Sequence, residues 1–169
     1  MARSRYLPGA RDGGLTAAAA TIAVAACGAT AAFAEPAAPD YRMALLPTMR
    51  ACNFQQVEHV SGRTWARPRA EITTAGGVVV ARVDITDGAS NARYVVRLIP
   101  APHPTLGCLA GDPSITTGAM VTDDNGTGSA MLQSQVASGV TGVWLAVDLP
   151  ALHSQTPEEF YSSNYVAVL

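Results

Sequence analysis

Apolar residues recur at every second position through much of this chain, and no stretch carries the three-to-four-residue period of an amphipathic helix. From Gly77 to Thr86, Val79, Ala81, Val83 and Ile85 share one face while Arg82 and Asp84 share the other. Successive strand side chains point to opposite faces, so this is the pattern of a strand half buried against a core. Arg93 to Ile99 repeats it, with Tyr94, Val96 and Leu98 facing in and Arg93 and Arg97 facing out. The turn residues Asp87-Gly88-Ala89-Ser90-Asn91 separate the two runs, which are expected to pair as an antiparallel hairpin.

A second hairpin is expected around Asp123-Asp124-Asn125-Gly126, with Asn-Gly at the positive backbone angles of a type I′ turn and arms over 115–122 and 128–136. Val143, Leu145, Val147 and Leu149 form another inward stripe, and Tyr165 to Leu169 offers a last strand. The stretches 51–60 and 70–74 are weaker strand candidates, which brings the count to seven or eight. Many short strands with Pro/Gly turns read as an all-β, antiparallel two-layer sandwich, Ig-like in broad architecture, with a small barrel as runner-up. Pro100 to Pro113 is the longest structureless stretch, with four prolines and Cys108 inside it.

The first 34 residues read as an export signal. Arg3, Arg5 and Arg11 form a positive start, Leu15 to Ala31 is a nearly unbroken apolar run, and Ala32-Phe33-Ala34 gives the small-x-small pattern cut by signal peptidase. Val24-Ala25-Ala26-Cys27 also resembles a lipobox, and acylation of Cys27 is the competing outcome. The expected organisation is a cleaved signal over 1–34, a lead-in over 35–50 and one domain over 51–169. A secreted or cell-envelope location follows, with no membrane span after cleavage.

An oxidising compartment gives the two mature cysteines, Cys52 and Cys108, one possible intramolecular pairing, and that disulfide is expected; two buried free thiols are the alternative. All eleven basic residues are Arg. The mature chain keeps eight of them against twelve acids, a net charge of −4, which disfavours nucleic acid as a partner. With no lysine, a Schiff-base lysine, a P-loop and a Ser-x-x-Lys nucleophile are excluded.

The run Tyr94-Val95-Val96-Arg97-Leu98, then Gly107-Cys108, then Val121 to Ala130 with Thr122-Asp123-Asp124-Asn125-Gly126-Thr127-Gly128, then Gly142 to Asp148 is similar to many small exported actinobacterial β-sandwich proteins. The resemblance implies an envelope or secreted location and an Ig-like fold, and it implies no activity.

Catalytic patterns are sparse. There is no Gly-x-Ser-x-Gly elbow, and His59, His103 and His153 lie far apart with nothing in their spacing to bring them to a Ser and an Asp. Of the paired acids, Glu158-Glu159 should point to opposite faces of a strand, and Asp123-Asp124 should face water on a turn. Asp123-x-Asn125-Gly126 resembles a calcium loop but lacks the further acidic ligands. Met43, Met49, Met120 and Met131 with the three His form no His-x-His or Met-x-x-Met cluster, so no metal and no cofactor is expected.

One segment has binding character. If Ser61 to Arg69 is extended, Arg63, Trp65, Arg67 and Arg69 fall on one face, a guanidinium row with an indole in it. Such a row suits a carboxylate, an anionic glycan or a protein partner through bidentate bonds and stacking. The competing reading is an edge strand protected from aggregation by charge and by Pro68. The expected function is a non-catalytic interaction module whose partner is a protein or an anionic glycan of the cell envelope. The alternatives are a metal or small-ligand carrier and an enzyme with a site assembled from distant residues.

Overall fold

The computed structural model describes residues 40–57 and 65–169; the signal expected over 1–34 lies outside them. Nine strands follow in order: β1 (Tyr41–Leu46), β2 (Arg69–Ala75), β3 (Val78–Ile85), β4 (Arg93–Ala101), β5 (Thr116–Val121), β6 (Gly128–Gln135), β7 (Gly142–Leu149), β8 (Glu159–Ser163) and β9 (Ala167–Val168). Every pairing is antiparallel. The hydrogen-bonded path is β5-β4-β7-β8-β1-β2-β3-β6, with β9 on β7.

β1 belongs to both layers. Its first residues pair with β2, Tyr41 opposite Ile72, and its last two pair with β8, Leu45 opposite Ser163. One layer is thus β1-β2-β3-β6 and the other β5-β4-β7-β8 closed by the end of β1. A strand that switches sheets makes a corner. The far ends, β5 and β6, adjoin where Leu132 packs within 3.3 Å of the Cβ position of Gly118, so the sandwich nearly closes into a barrel.

The alternating stripes meet between the layers. Val79, Ala81, Val83 and Ile85 of β3 and Tyr94, Val96 and Leu98 of β4 are buried there with Ile72, Leu132, Leu145 and Val147. Each fully buried aliphatic side chain contributes about 1.5–3 kcal/mol. The faces expected from the sequence are therefore correct, but the expected hairpin of β3 with β4 is not formed. β3 pairs with β2 and β6, β4 with β5 and β7. The reason lies in residues 87–92, where Asp87 and Asn91 take positive φ of 58° and 52° and the chain crosses to the other layer.

The arms expected at 115–122 and 128–136 are β5 and β6, yet they pair with β4 and β3 rather than with each other. Their turn is also not type I′: Gly126 has φ 72° but Asn125 is not in the positive region. Asp123 supplies the geometry instead, its Oδ1 accepting from the N–H groups of Asn125 and Thr127, both at 2.9 Å, as an Asx turn does. Gly126 touches the crossing above β3, and its carbonyl accepts the Gly88 N–H at 3.0 Å.

Two strands lie outside the expected set, β8 and β1, the latter inside the stretch read as a lead-in. The candidate strand over 51–60 does not form across its described residues: 50–57 is a compact turn closed by an Arg50–Gln56 bridge. Cys52 and Cys108 are joined, with Cα atoms 5.5 Å apart and a sequence separation of 56, so the free-thiol alternative fails. Loop-closure entropy over that length amounts to about 4 kcal/mol.

Candidate functional site

Residues 65–68 run extended into β2. The Arg67 N–H donates to the Thr86 carbonyl at 2.8 Å, and the Pro68 carbonyl accepts from Leu45 N–H at 3.0 Å. Period two then buries Ala66, Pro68 and Ala70 and turns Trp65, Arg67 and Arg69 outward. Trp65 is 75% exposed. Arg67 reaches Asp87 at 3.4 Å. Arg69 stands opposite Ala44 and Asp84, and the Asp84 carboxylate is already held by Arg82 at 3.0 Å. Arg63 lies outside the described residues. Because β2 is flanked by β1 and β3, this is not an edge strand, and the edge-protection reading of the row loses its premise.

A different site lies on the outer face of the second layer. Gly142 to Val147 is buried on both faces: Val143, Leu145 and Val147 enter the main core, whereas Trp144 and Ala146 join a second cluster with Ile99, Ile115, Cys52 and Cys108. Two loops pinned by the disulfide, 47–57 and 102–112, lie over that face. Between them and the β7–β8 connection runs a groove of about 560 Å³ lined by Arg50, Arg97, Leu109, Trp144, Asp148 and Phe160 among others.

Its polar walls are of two kinds. Arg97 is satisfied: it donates to the Cys108 carbonyl at 2.6 Å and to the Asp148 carboxylate. Burial outweighs the Arg97 charge and holds Asp148 above the usual carboxylate range. Arg50 is not neutralised in this way. It donates to the Phe54 carbonyl at 3.0 Å and lies 4.0 Å over the Phe54 ring, with no carboxylate partner among the described residues. Burial lowers its pKa. The Phe54 ring meets Trp144 edge-on at 5.5 Å. Arg50 Nε and Trp144 Nε1 are both buried, and neither finds an acceptor among the described residues. Phe54 itself has φ 70°, a left-handed conformation that costs a non-glycine residue about 1–2 kcal/mol.

At the end of the sandwich a cleft of about 600 Å³ opens between the layers, walled by Val79, Leu98, Val136, Val143 and several prolines. His103 stands at its rim, Nε2 3.1 Å from Ser114 Oγ and Nδ1 2.9 Å from the Pro104 carbonyl. The pair is exposed, and no acid completes it among the described residues. At the opposite end Glu159 is buried, its Oε2 accepting from the hydroxyls of Tyr94 and Tyr161, each at 2.9 Å. Burial first, opposed by the Ala89 N–H and reinforced by Glu159, pushes Tyr94 up to about 12. Tyr161 is raised by the same two causes, burial the larger. The two hydroxyls also accept the N–H groups of Ala89 and Ala66, so this cluster ties loops together.

The remaining sequence candidates stay apart. His153 is exposed in the β7–β8 connection, and His59 lies outside the described residues. Met43 and Met120 are buried in the core while Met131 is 70% exposed. Among the described residues no three His, Cys, Asp or Glu side chains converge, and no helix is long and apolar enough to cross a membrane. Glu158 and Glu159 do take opposite environments, exposed and buried. Sequence reasoning missed the groove. Its one signal was the unbroken apolar run from Val143 to Val147, since a strand covered on both faces shows no alternation. The chain matches no protein-family model and no curated protein.

Proposed function

We propose that this protein is an exported, non-catalytic binding module of the cell envelope or its surroundings, engaging a protein or anionic glycan through Trp65, Arg67 and Arg69, continued by Arg63. The observation that carries this reading is the exposed indole of Trp65, just ahead of a strand, β2, that β1 and β3 flank. Large aromatic and Arg side chains held on a rigid surface are the residue types that dominate binding energy. The Cys52–Cys108 bridge suits an oxidising compartment.

Charge refines the expectation. Asp87 neutralises Arg67, whereas Arg69 has no carboxylate partner among the described residues, so Trp65 and Arg69 are the residues to truncate. Cosedimentation of the exported protein with isolated envelope material is expected to weaken at least tenfold in Trp65→Ala and Arg69→Ala, and to weaken with salt, at an unchanged melting temperature. Undiminished binding by both variants would remove the row as a binding surface.

A further inference from the structure

We infer that the partner engaged at the Trp65 row is a protein surface, and that its footprint crosses from β2 onto β1 to take in Ala44 and Leu46. The inference rests on the reading of the row as a binding surface. Trp65, Arg67 and Arg69 do not stand alone on the outer side of their layer. Ala44 of β1 lies directly opposite Arg69. The bond from the Leu45 N–H to the Pro68 carbonyl at 3.0 Å carries that register further and sets Leu46 beside Arg67. Residues opposite each other in an antiparallel pair share a face. Met43 and Leu45 are buried while Ala44 and Leu46 are exposed, so the outward row of β1 runs alongside that of β2. Leu46 is 44% exposed and Trp65 75%. Arg67 thus has an exposed aliphatic side chain beside it and an exposed indole at the next outward position of its own row.

Charge decides between the two classes of partner. The same face carries Arg42, Arg67, Arg69 and Arg82 together with Glu71 and Asp84, and Asp87 stands at its end. Arg42 is held by Glu71 at 3.1 Å, Arg67 by Asp87 at 3.4 Å and Arg82 by Asp84 at 3.0 Å. Glu71 also stands opposite Arg82, and Asp84 opposite Arg69. A polyanionic glycan would gain from the one unpaired guanidinium, that of Arg69, and would be repelled by the carboxylates interleaved with the others. A protein surface carries both signs and can oppose each charge with its counterpart. It can also cover Ala44, Leu46 and Trp65 with apolar side chains of its own, giving the apolar centre and polar rim of a protein interface.

Leu46→Arg and Ala44→Arg separate the two classes, because each adds a cation to the face and takes away an apolar contact. Cosedimentation of the exported protein with isolated envelope material is expected to weaken about tenfold in Leu46→Arg, and to weaken in Ala44→Arg as well. Binding is expected to disappear when the envelope is first digested with a broad-specificity protease, and to survive periodate oxidation of its glycans. Ala44 makes the second variant because Leu46 is half-buried and its replacement could disturb β1; melting temperatures report whether either fold has changed. A polyanionic glycan requires the reverse: tighter binding by both variants, survival after protease and loss after periodate. That result would overturn the protein partner and leave the row standing, provided Trp65→Ala and Arg69→Ala still weaken binding. Undiminished binding by both Arg variants would equally overturn the inference, since the footprint would then stop short of β1. If Trp65→Ala and Arg69→Ala bind undiminished, the row itself fails and the inference falls with it.

Discussion

Replacing Gly126 with alanine should be among the most damaging single-methyl changes in this domain, and a second glycine supplies the control. A Cβ at Gly126 would lie 2.1 Å from the Gly88 carbonyl oxygen and 2.8 Å from the Gly88 carbonyl carbon and nitrogen, in a residue whose φ is 72°. At Gly139, φ is 83° but a Cβ would meet nothing within 4 Å. Gly139→Ala therefore carries only the left-handed backbone penalty, about 1–2 kcal/mol. Gly126→Ala carries that penalty and must also push the two backbone segments apart by roughly 1 Å, an overpacking cost of about 1–3 kcal/mol. That separation loses the Gly88–Gly126 hydrogen bond, about 1 kcal/mol more. The total is roughly 3–6 kcal/mol, a fall of at least 10 °C in melting temperature for a domain of this size. Urea unfolding of the oxidised wild type and the two variants measures the difference directly. If both variants lose the same stability to within about 1 kcal/mol, the close contact between the two turns does not exist in solution and the steric reasoning fails.

Tyr94→Phe removes a donor from buried Glu159 and the acceptor of the Ala89 N–H, and should cost about 2–3 kcal/mol in a urea melt; a loss under about 0.5 kcal/mol would mean the carboxylate is hydrated. The pKa of Tyr94, raised from 10.0 to about 12 in the fold, makes stability complete below pH 10 and lost as pH rises toward 12. The Tyr94 share of that loss is about 3 kcal/mol, and a urea midpoint that stays constant from pH 9 to 12 would contradict it. Reduction of Cys52–Cys108 should destabilise the domain by up to about 4 kcal/mol, with hydrogen exchange accelerating first in residues 47–57 and 102–112; uniform acceleration over all strands would contradict a local effect. Intact-mass analysis of the exported protein should give Glu35 as the first residue, and a diacylglyceryl mass on Cys27 would make the protein lipid-anchored instead.

What the sequence discloses here is which way side chains face. β3, β4 and β7 stand out because Val79 to Ile85, Tyr94 to Leu98 and Val143 to Val147 carry their burial in their own apolar pattern. Which strands are neighbours is not in that pattern: β3 and β4 present their stripes to each other across the core, and a stripe looks the same whether its partner lies beside it or opposite. β8 is hidden for another reason. All five of its residues are buried, but Glu159, Ser162 and Ser163 are polar and become tolerable inside only through distant partners, such as Thr48 for Ser162 and Leu145 for Ser163. β1 offers just Met43 and Leu45 to the core, too few for a period. The Trp65–Arg69 face was legible because it is local; the groove draws Arg50, Leu109, Trp144 and Asp148 from separate stretches of chain, and no spacing rule joins them.

The disulfide gives the groove a history as well as a place. Wherever thiols are kept reduced, the segments carrying Cys52 and Cys108 are tied only by their own weak contacts, while the sheets of the domain do not depend on them for pairing. The sandwich can therefore complete its core before the wall over Trp144 exists. In that order of events the bridge is the last part of the groove wall to be set.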